Sequence, residues 1–510
     1  MISKKYTEPL ILLVFIITKF ILQYVLIHPV YELHRDEYLH LDQAKHLAWG
    51  YLSVPPLTSW NSYIILLLGN SEFWIKFFPA LYGALTIVMV WVIIKELKGN
   101  LFALVLGATC ILLSVLLRIN LLYQPNSLDI LLWVTFYYLF LKYIHSGKPK
   151  WIYILAVVTA VGFLNKYNIA FLILGFLPAV LLTRHRVILL NKHLYFAVFL
   201  GLVIISPNLV WQYQNNFPVF THLNQLASTQ LVYVNRADFI KEQILFFLGG
   251  IAVLLAGLYA LIFYRPFKEY RLYFLSYIFT IAIFIFLKAK GYYAIGLYPV
   301  FIAFGAVYME RILQNKWQQY LKPVMILIPV LLSITLFKIA FPNKTPDQIR
   351  AHPEAYEKFG LLRWEDGKDH PLPQDFADML GWKELASKVD NAYATLPQNE
   401  YIFVLCDNYG QAGAINYYSA KNISAVSLNA DYRNWFQLDK PIQHVILVQD
   451  KTDTDKNREK EKPLFDNVYA FDSITNKYAR ERGTTIYVLK NAQADINSIL
   501  KNDLAENDNH

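Results

Sequence analysis

The stretch YELHRDEYLHLDQAKHLAWGYLSVPP, residues 31–56, carries Arg35, Asp36, Glu37, His40, Asp42, Lys45 and His46 in one short run. A carboxylate in such a cluster can take a proton from an incoming hydroxyl, and a neighbouring histidine can assist it. Asp36 and His40 are four residues apart, as are Asp42 and His46, so each pair shares a helical face. Two plainer readings stay open: Asp36 and Glu37 could complement the positive end of a helix, or Asp and His could ligate a divalent metal, for which two ligands are no set. The run reads as a helix at a membrane surface, ended by Trp49-Gly50-Tyr51 and Val54-Pro55-Pro56. Asp36, Glu37 and His40 are its candidate site residues, and Asp42, Lys45 and His46 are expected on its solvated side.

The cluster stands out because the rest of the chain is apolar. Of 510 residues, 56% are hydrophobic, 16% aromatic and only 17% charged, which sets the chain apart from ordinary soluble proteins. Apolar runs recur at 9–27, 73–94, 101–117, 128–144, 151–164, 168–183, 194–211, 243–264, 272–287, 292–309 and 323–341. Several reach the roughly 17–25 residues that a helix needs to cross a bilayer. The expected fold is therefore a polytopic α-helical membrane protein of about eleven spans, followed by a soluble domain. The first run exceeds the roughly 7–15 apolar residues of a signal peptide and is expected to stay as a span.

Charge divides the chain. Residues 1–342 hold 27 Lys and Arg against 12 acids, and the remainder 20 against 26. A basic membrane part with an acidic tail argues for two environments and against a nucleic-acid partner. Cys110 and Cys406 lie in segments too different in character to suggest a disulfide. With the N-terminus inside, the turns 95–100, 145–150, 184–192, 264–271 and 310–322 and the flanking span ends carry 16 Lys and Arg against four acids. The opposite ends carry ten against eight. The positive-inside rule then places the N-terminus in the cytoplasm and, with an odd number of spans, the tail outside.

That orientation gathers Asp36, Glu37, His40, Arg118, Asp129, Lys166, Lys288 and Lys290 at the outer ends of spans, where a shared polar cavity is expected. Asp129 sits where it could simply cap a helix. Lys166 follows a turn of almost no length, LNKYN, and suits an anion unless it snorkels towards head groups. Lys288 and Lys290, beside Tyr292 and Tyr293, suit a phosphate, or an ordinary aromatic belt with snorkelling lysines. Lys19, deep in the first span, is expected to face the interior and pair with a tyrosine or a backbone carbonyl. Residues 212–242 form a polar loop, with one or two short helices, long enough to act as a lid.

After Phe341 the apolar pattern stops. Residues 383–396 read as a helix, and 401–406, 443–448 and 484–490 as strands, which suggests a small α/β domain over 342–510. In DNYGQAGAINYY, 407–418, Gly410 and Gly413 do not complete a dinucleotide fingerprint, and a tight turn is expected there. KTDTDKNREKEK, 451–462, reads as a solvated loop.

The Asp-Glu pair after a first span in HRDEYLHLDQAKHLAWGY, with PPL following it, resembles the PMT-like branch of the GT-C glycosyltransferases. That branch includes protein O-mannosyltransferases and the lipid A aminoarabinose transferase. The resemblance continues through RINLLYQPNSLD, FLNKYNIAF, KGYYAIGLYP and DNYGQAGAINYY. It implies a GT-C membrane domain over 1–341 with outer loops 28–72 and 212–242, and an extracytoplasmic domain over 342–510. It further implies transfer of a sugar, with inversion, from a polyprenyl-phosphate donor to an acceptor hydroxyl on a lipid, glycan or protein, at the outer face of the plasma membrane. Under it Asp36 is the general base and Glu37 positions a substrate beside it. His40, Arg118, Asp129, Lys166, Tyr167, Lys288, Lys290, Tyr292 and Tyr293 line the substrate site, the lysines neutralising the departing phosphate. Some relatives bind a divalent metal, and no ligand set for one is evident here. The competing expectation is a transporter or flippase of lipid-linked sugars without transfer chemistry.

Overall fold

A computed structural model of the chain describes residues 4–508 except 230 and 316; Gln230 of the 212–242 loop and Lys316 of the 310–322 turn lie outside them. The chain divides into two compact units: residues 1–27, 49–58 and 70–343, and residues 28–48, 59–69 and 344–510.

The first unit is a helical bundle. Among the described residues six helices are long and apolar enough to cross a membrane, and up to eight if each of two bent pairs counts as one span. Three shorter apolar helices accompany them, Leu101–Leu112, Lys150–Asn165 and Gln318–Ile334. Each of the eleven apolar runs falls on helix, and the expectation of a polytopic helical protein holds. The segments differ in what they bury. The apolar windows of Tyr6–Val25 and Lys192–Gln214 are only 11% buried, whereas that of Gly291–Ile312 is 78% buried. An apolar face with no protein partner needs lipid, so the first two are the lipid-facing kind and the third is the packed centre. Its neighbour is the helix Ile251–Phe263. There a Cβ on Gly257 would overlap the Phe301 carbonyl, and one on Gly305 the Val253 carbonyl. Two glycines thus let the backbones meet, the usual device where the solvent is as apolar as the side chains.

Lys19 lies inside this bundle, 2% exposed. Its ammonium donates to Gln23 Oε1 at 2.6 Å, and Gln23 donates to the Asn120 carbonyl. The partner is thus a glutamine one turn on, rather than the tyrosine or carbonyl expected. The 212–242 loop forms two helices, Pro218–Thr229 and Arg236–Leu245.

The second unit is built on five strands, β1 Ile402–Cys406, β2 Ala425–Ser427, β3 His444–Gln449, β4 Phe465–Ser473 and β5 Thr485–Ala492. Their order is β2-β1-β3-β5-β4. β1 runs parallel to β2 and β3, while β5 is antiparallel to β3 and β4. β1, β3 and β5 are near-continuous apolar runs, as fits strands covered on both faces. Helices Trp382–Ala394 and Tyr409–Tyr418 pack together in this unit. A separate apolar cluster joins Phe403, Val445, Leu447 and Leu489 of the sheet to Ile496 and Leu500 of the last helix, Ile496–Asp508.

This unit is more than the tail. The helix Arg35–Asp42 packs along Tyr409–Tyr418 and buries Tyr38 among Trp382, Tyr417 and Tyr418. Gly410 and Gly413 make that approach close. They lie inside the helix, not in a turn, and a Cβ at Gly413 would stand 2.6 Å from Tyr38 Cβ. The expectation of a solvated Asp42 fails for the same reason, while Lys45 and His46 are exposed as expected. Asp42 is 6% exposed and accepts from Asn416 Nδ2 at 2.7 Å, Tyr432 Oη at 2.8 Å and Lys45 Nζ at 3.2 Å. His46 stacks on Trp435 with centroids 4.2 Å apart.

Candidate active site

The residues singled out in the sequence fall into two clusters, one in each unit. Asp36, Glu37 and His40 belong to the second unit. His34 stands just outside the helix in an extended conformation and is its N-cap. Asp36 N–H donates to His34 Nδ1 at 3.3 Å, and Glu37 Oε2 accepts from His34 N–H at 2.6 Å. This is a capping box with histidine in the place usually held by serine or threonine. It leaves Glu37 buried, 1% exposed, with its carboxylate turned back to the helix terminus. Because Nδ1 accepts, neutral His34 carries its proton on Nε2, which lies 3.6 Å from Asp378 Oδ2. Asp378 in turn meets Arg480 Nη1 at 3.2 Å.

Asp36 is different from its neighbours. Its side chain keeps 36% exposure, and its Oδ1 accepts from Tyr409 Oη at 2.7 Å. Arg35 lies over the Tyr409 ring, 4.6 Å from the centroid. Burial on its own would raise the Asp36 carboxyl. The charges of His34, Arg35 and His40 and the Tyr409 hydrogen bond outweigh it and hold the group below its ordinary 3.8. Asp378 goes the other way: burial and the Asp36 charge raise it against the pull of Arg480, His34 and Arg35. Two carboxylates with opposite displacements thus sit around one histidine. His40 is buried and shares a 3.3 Å contact with Gln43 Oε1, while Gln43 donates to Asp431 Oδ2 at 2.8 Å. Burial lowers its pKa despite Asp36, so it is neutral at pH 7.

Asp129, Lys166, Tyr167, Tyr292 and Tyr293 belong to the first unit. Asp129 is in the first turn of Asn126–Ser146 and buried. It accepts from Trp133 Nε1 at 3.0 Å, one turn on, and from Asn168 Nδ2 at 2.9 Å. Asn168 also donates to the Tyr293 carbonyl at 3.0 Å. Lys166 is partly exposed, and its Nζ donates to Asn126 Oδ1 at 2.6 Å. It lies 4.6 Å from the Tyr293 ring centre and 5.2 Å from that of Tyr292. The ammonium thus lies against two aromatic faces and an amide oxygen. Tyr167 is tied elsewhere: its hydroxyl donates to Asn208 Oδ1 at 3.2 Å and accepts from Gln212 Nε2 at 2.8 Å. Arg118 lies on the short helix Val115–Ile119. Lys288 is exposed with a left-handed φ of 52°. The Lys290 charge helps burial to depress His222 of the 212–242 segment.

His34, Arg35, Asp378, Tyr409, Asn126 and Asn168 were not foreseen as site residues. Arg35 and His34 lay in the opening charged run, Asn126, Asn168 and Tyr409 in other quoted stretches, and Asp378 in none of them. Among the described residues there is no group of three or more His, Cys, Asp or Glu that could hold a metal ion.

Residues 53–211 match the family model described as dolichyl-phosphate-mannose-protein mannosyltransferase. No curated protein matches the chain in sequence. Two solved structures are similar in fold, those of ArnT from Cupriavidus metallidurans in the apo state and bound to undecaprenyl phosphate. Both are 14% identical and align over 93% of this chain and 97% of theirs, with TM-scores of 0.60 and 0.59. The chain thus shares its fold with ArnT along almost its whole length, and the family match begins just beyond the Asp36 segment.

Proposed function

We propose that this chain is a membrane glycosyltransferase that moves a sugar from a polyprenyl-phosphate carrier to an acceptor hydroxyl, with inversion and with Asp36 as general base. The observation that carries it is the Asp36 carboxylate, partly exposed yet held ionised by His34, Arg35 and Tyr409. The family description and the undecaprenyl phosphate in the ArnT structure support the donor class. In the reaction the acceptor O–H proton passes to Asp36 as the acceptor oxygen bonds to the anomeric carbon. The bond from that carbon to the phosphate oxygen breaks, and its electron pair leaves with the lipid phosphate. Lys166 and, with it, Lys290 neutralise the phosphate charge. Asp129 orients Asn168 and, through it, the Tyr293 backbone. Glu37 acts by fixing the helix terminus that carries Asp36, and His40 stands one turn on as a buried neutral imidazole. The charge asymmetry of the turns supports a plasma-membrane protein with its N-terminus in the cytoplasm and its C-terminal domain outside.

The experiment is mass spectrometry of envelope glycans from a deletion strain complemented with wild type or Asp36→Asn at matched protein levels. A sugar mass lost on deletion should return with wild type and fall by about a hundredfold or more with the variant. Full restoration by Asp36→Asn would remove Asp36 as base, and no mass difference on deletion would remove the transferase reading.

A further inference from the structure

We propose that Tyr409 of the C-terminal α/β domain is a positioning residue for Asp36, so that this domain is part of the catalytic apparatus rather than an appendage. The proposal rests on the reading of Asp36 as base. Four features of the second unit carry it. The Tyr409 hydroxyl donates to Asp36 Oδ1 at 2.7 Å, a direct bond between residues 373 apart. Asn408 caps the helix that begins with Tyr409, accepting from the N–H groups of Gly410 and Gln411 at 3.0 and 3.1 Å, so the phenol is presented from a fixed terminus. Arg35 covers the ring, pinning it from the other segment. Gly410 and Gly413 allow the two helices the approach that the bond requires.

A hydroxyl bound to one oxygen of a carboxylate does two things. It fixes the plane of the group, hence the direction from which the other oxygen meets a proton. It also keeps the carboxylate ionised, since the charged form is the better acceptor. A general base needs the fixed direction, because displacement by even an ångström from the reactive geometry is costly in rate. The ring serves packing equally well with or without its oxygen, so the hydroxyl is the part that the fold alone does not require. Asp36 faces His34, Arg35 and His40 from its own segment and Tyr409 and Asp378 from the elements packed on it. All of these stay in place when the oxygen is removed.

The test is Tyr409→Phe, which keeps the ring under Arg35, run beside Asp36→Asn in the complemented deletion strain and as purified full-length protein. Glycan incorporation per folded molecule should fall about tenfold or more, with the unfolding temperature within a few degrees of wild type. The initial rate in isolated membranes should lose its acid limb at higher pH than wild type, a shift that a merely structural role would not produce. In infrared titration of the purified protein, the carboxyl band that Asp36→Asn abolishes should appear at higher pH in Tyr409→Phe. Wild-type incorporation and an unmoved band in Tyr409→Phe, with Asp36→Asn inactive, would overturn the positioning role and leave the base standing. Full incorporation by Asp36→Asn would overturn both.

Discussion

Tyr432 Oη donates to Asp42 Oδ2 at 2.8 Å, joining residues 390 apart in sequence within one buried cluster. Asn416 Nδ2 reaches the same oxygen at 2.7 Å. A buried carboxylate persists only when its acceptors are filled, so these donors let the segment after the first span fold into the sheet domain. Tyr432→Phe removes one charge-assisted bond and should destabilise the second unit by about 1.5–3 kcal/mol. Asp42→Ala should cost more, since the bonds from both Tyr432 and Asn416 are then lost. Thermal unfolding of the purified protein checks both, and an unchanged midpoint in Asp42→Ala would mean that the cluster adds nothing to stability.

Two glycines in helices should answer differently to the same substitution. A Cβ at Gly413 would meet Tyr432 Oη at 2.5 Å and Tyr38 Cβ at 2.6 Å, so Gly413→Ala must push apart two packed helices. Overpacking of this kind costs about 1–3 kcal/mol. A Cβ at Gly201 would find nothing closer than the Ala156 carbonyl at 3.7 Å. There Gly201→Ala should be neutral or stabilising by up to about 1 kcal/mol, because alanine is the better helix former. Denaturation midpoints of the pair decide, and equal loss in both would argue against the close approach at Gly413.

The contrast also marks what could be read from the chain alone. Span positions were legible because an apolar run of membrane length is a local signal; Leu101–Leu112 and Asn126–Ser146 lie where the runs at 101–117 and 128–144 said. β1, β3 and β5 were legible as compact apolar strands, whereas β2 has three residues and β4 reads FDNVYAFDS, too polar and too exposed along its edge. Asp36, Asp129 and Lys166 could be found because a charge beside apolar sequence is conspicuous. Their partners could not. Tyr409, Asn126 and Asn168 are ordinary neutral residues until the fold brings them to a charge, and the burial of Asp42 is set by Tyr432 and Asn416 far along the chain.

Acid should weaken the second unit partly through His40. Burial depresses this imidazole below its ordinary 6.5 in spite of the nearby Asp36 charge and the contact to Gln43, while His34 adds to the depression. Between the depressed value and 6.5 the unfolded chain binds the proton and the folded chain does not. Stability therefore rises with pH across that window and is lost as pH falls through it. The slope from one such group is at most about 1.4 kcal/mol per pH unit. His40→Gln should flatten the fall in unfolding temperature between pH 7 and pH 5, and an equally steep fall in the variant would assign the acid sensitivity to other groups.

Lys166 offers a test of the lipid-phosphate assignment that needs no knowledge of the sugar. Its ammonium is held by Asn126 Oδ1 at 2.6 Å and lies over the rings of Tyr292 and Tyr293, so its position is set by neighbours that carry no negative charge. A cation so placed attracts a phosphate without first breaking an ion pair, whereas the amide contact is readily exchanged for a phosphate oxygen. Lys288, exposed and with no such cradle in the aromatic pair, is the natural control. Lys166→Met keeps the aliphatic stem against the rings and should weaken binding of undecaprenyl phosphate to the detergent-solubilised protein by about tenfold or more, equal to ~1.4 kcal/mol. Lys288→Met should change it less than threefold, about 0.65 kcal/mol on the same scale. Asn126→Ala should fall between them, because it frees the ammonium to wander without removing its charge. Native mass spectrometry with undecaprenyl phosphate as the only added lipid gives the three affinities. Binding by Lys166→Met at wild-type strength would take the phosphate away from this cation and leave the aromatic pair as a packing feature of the bundle.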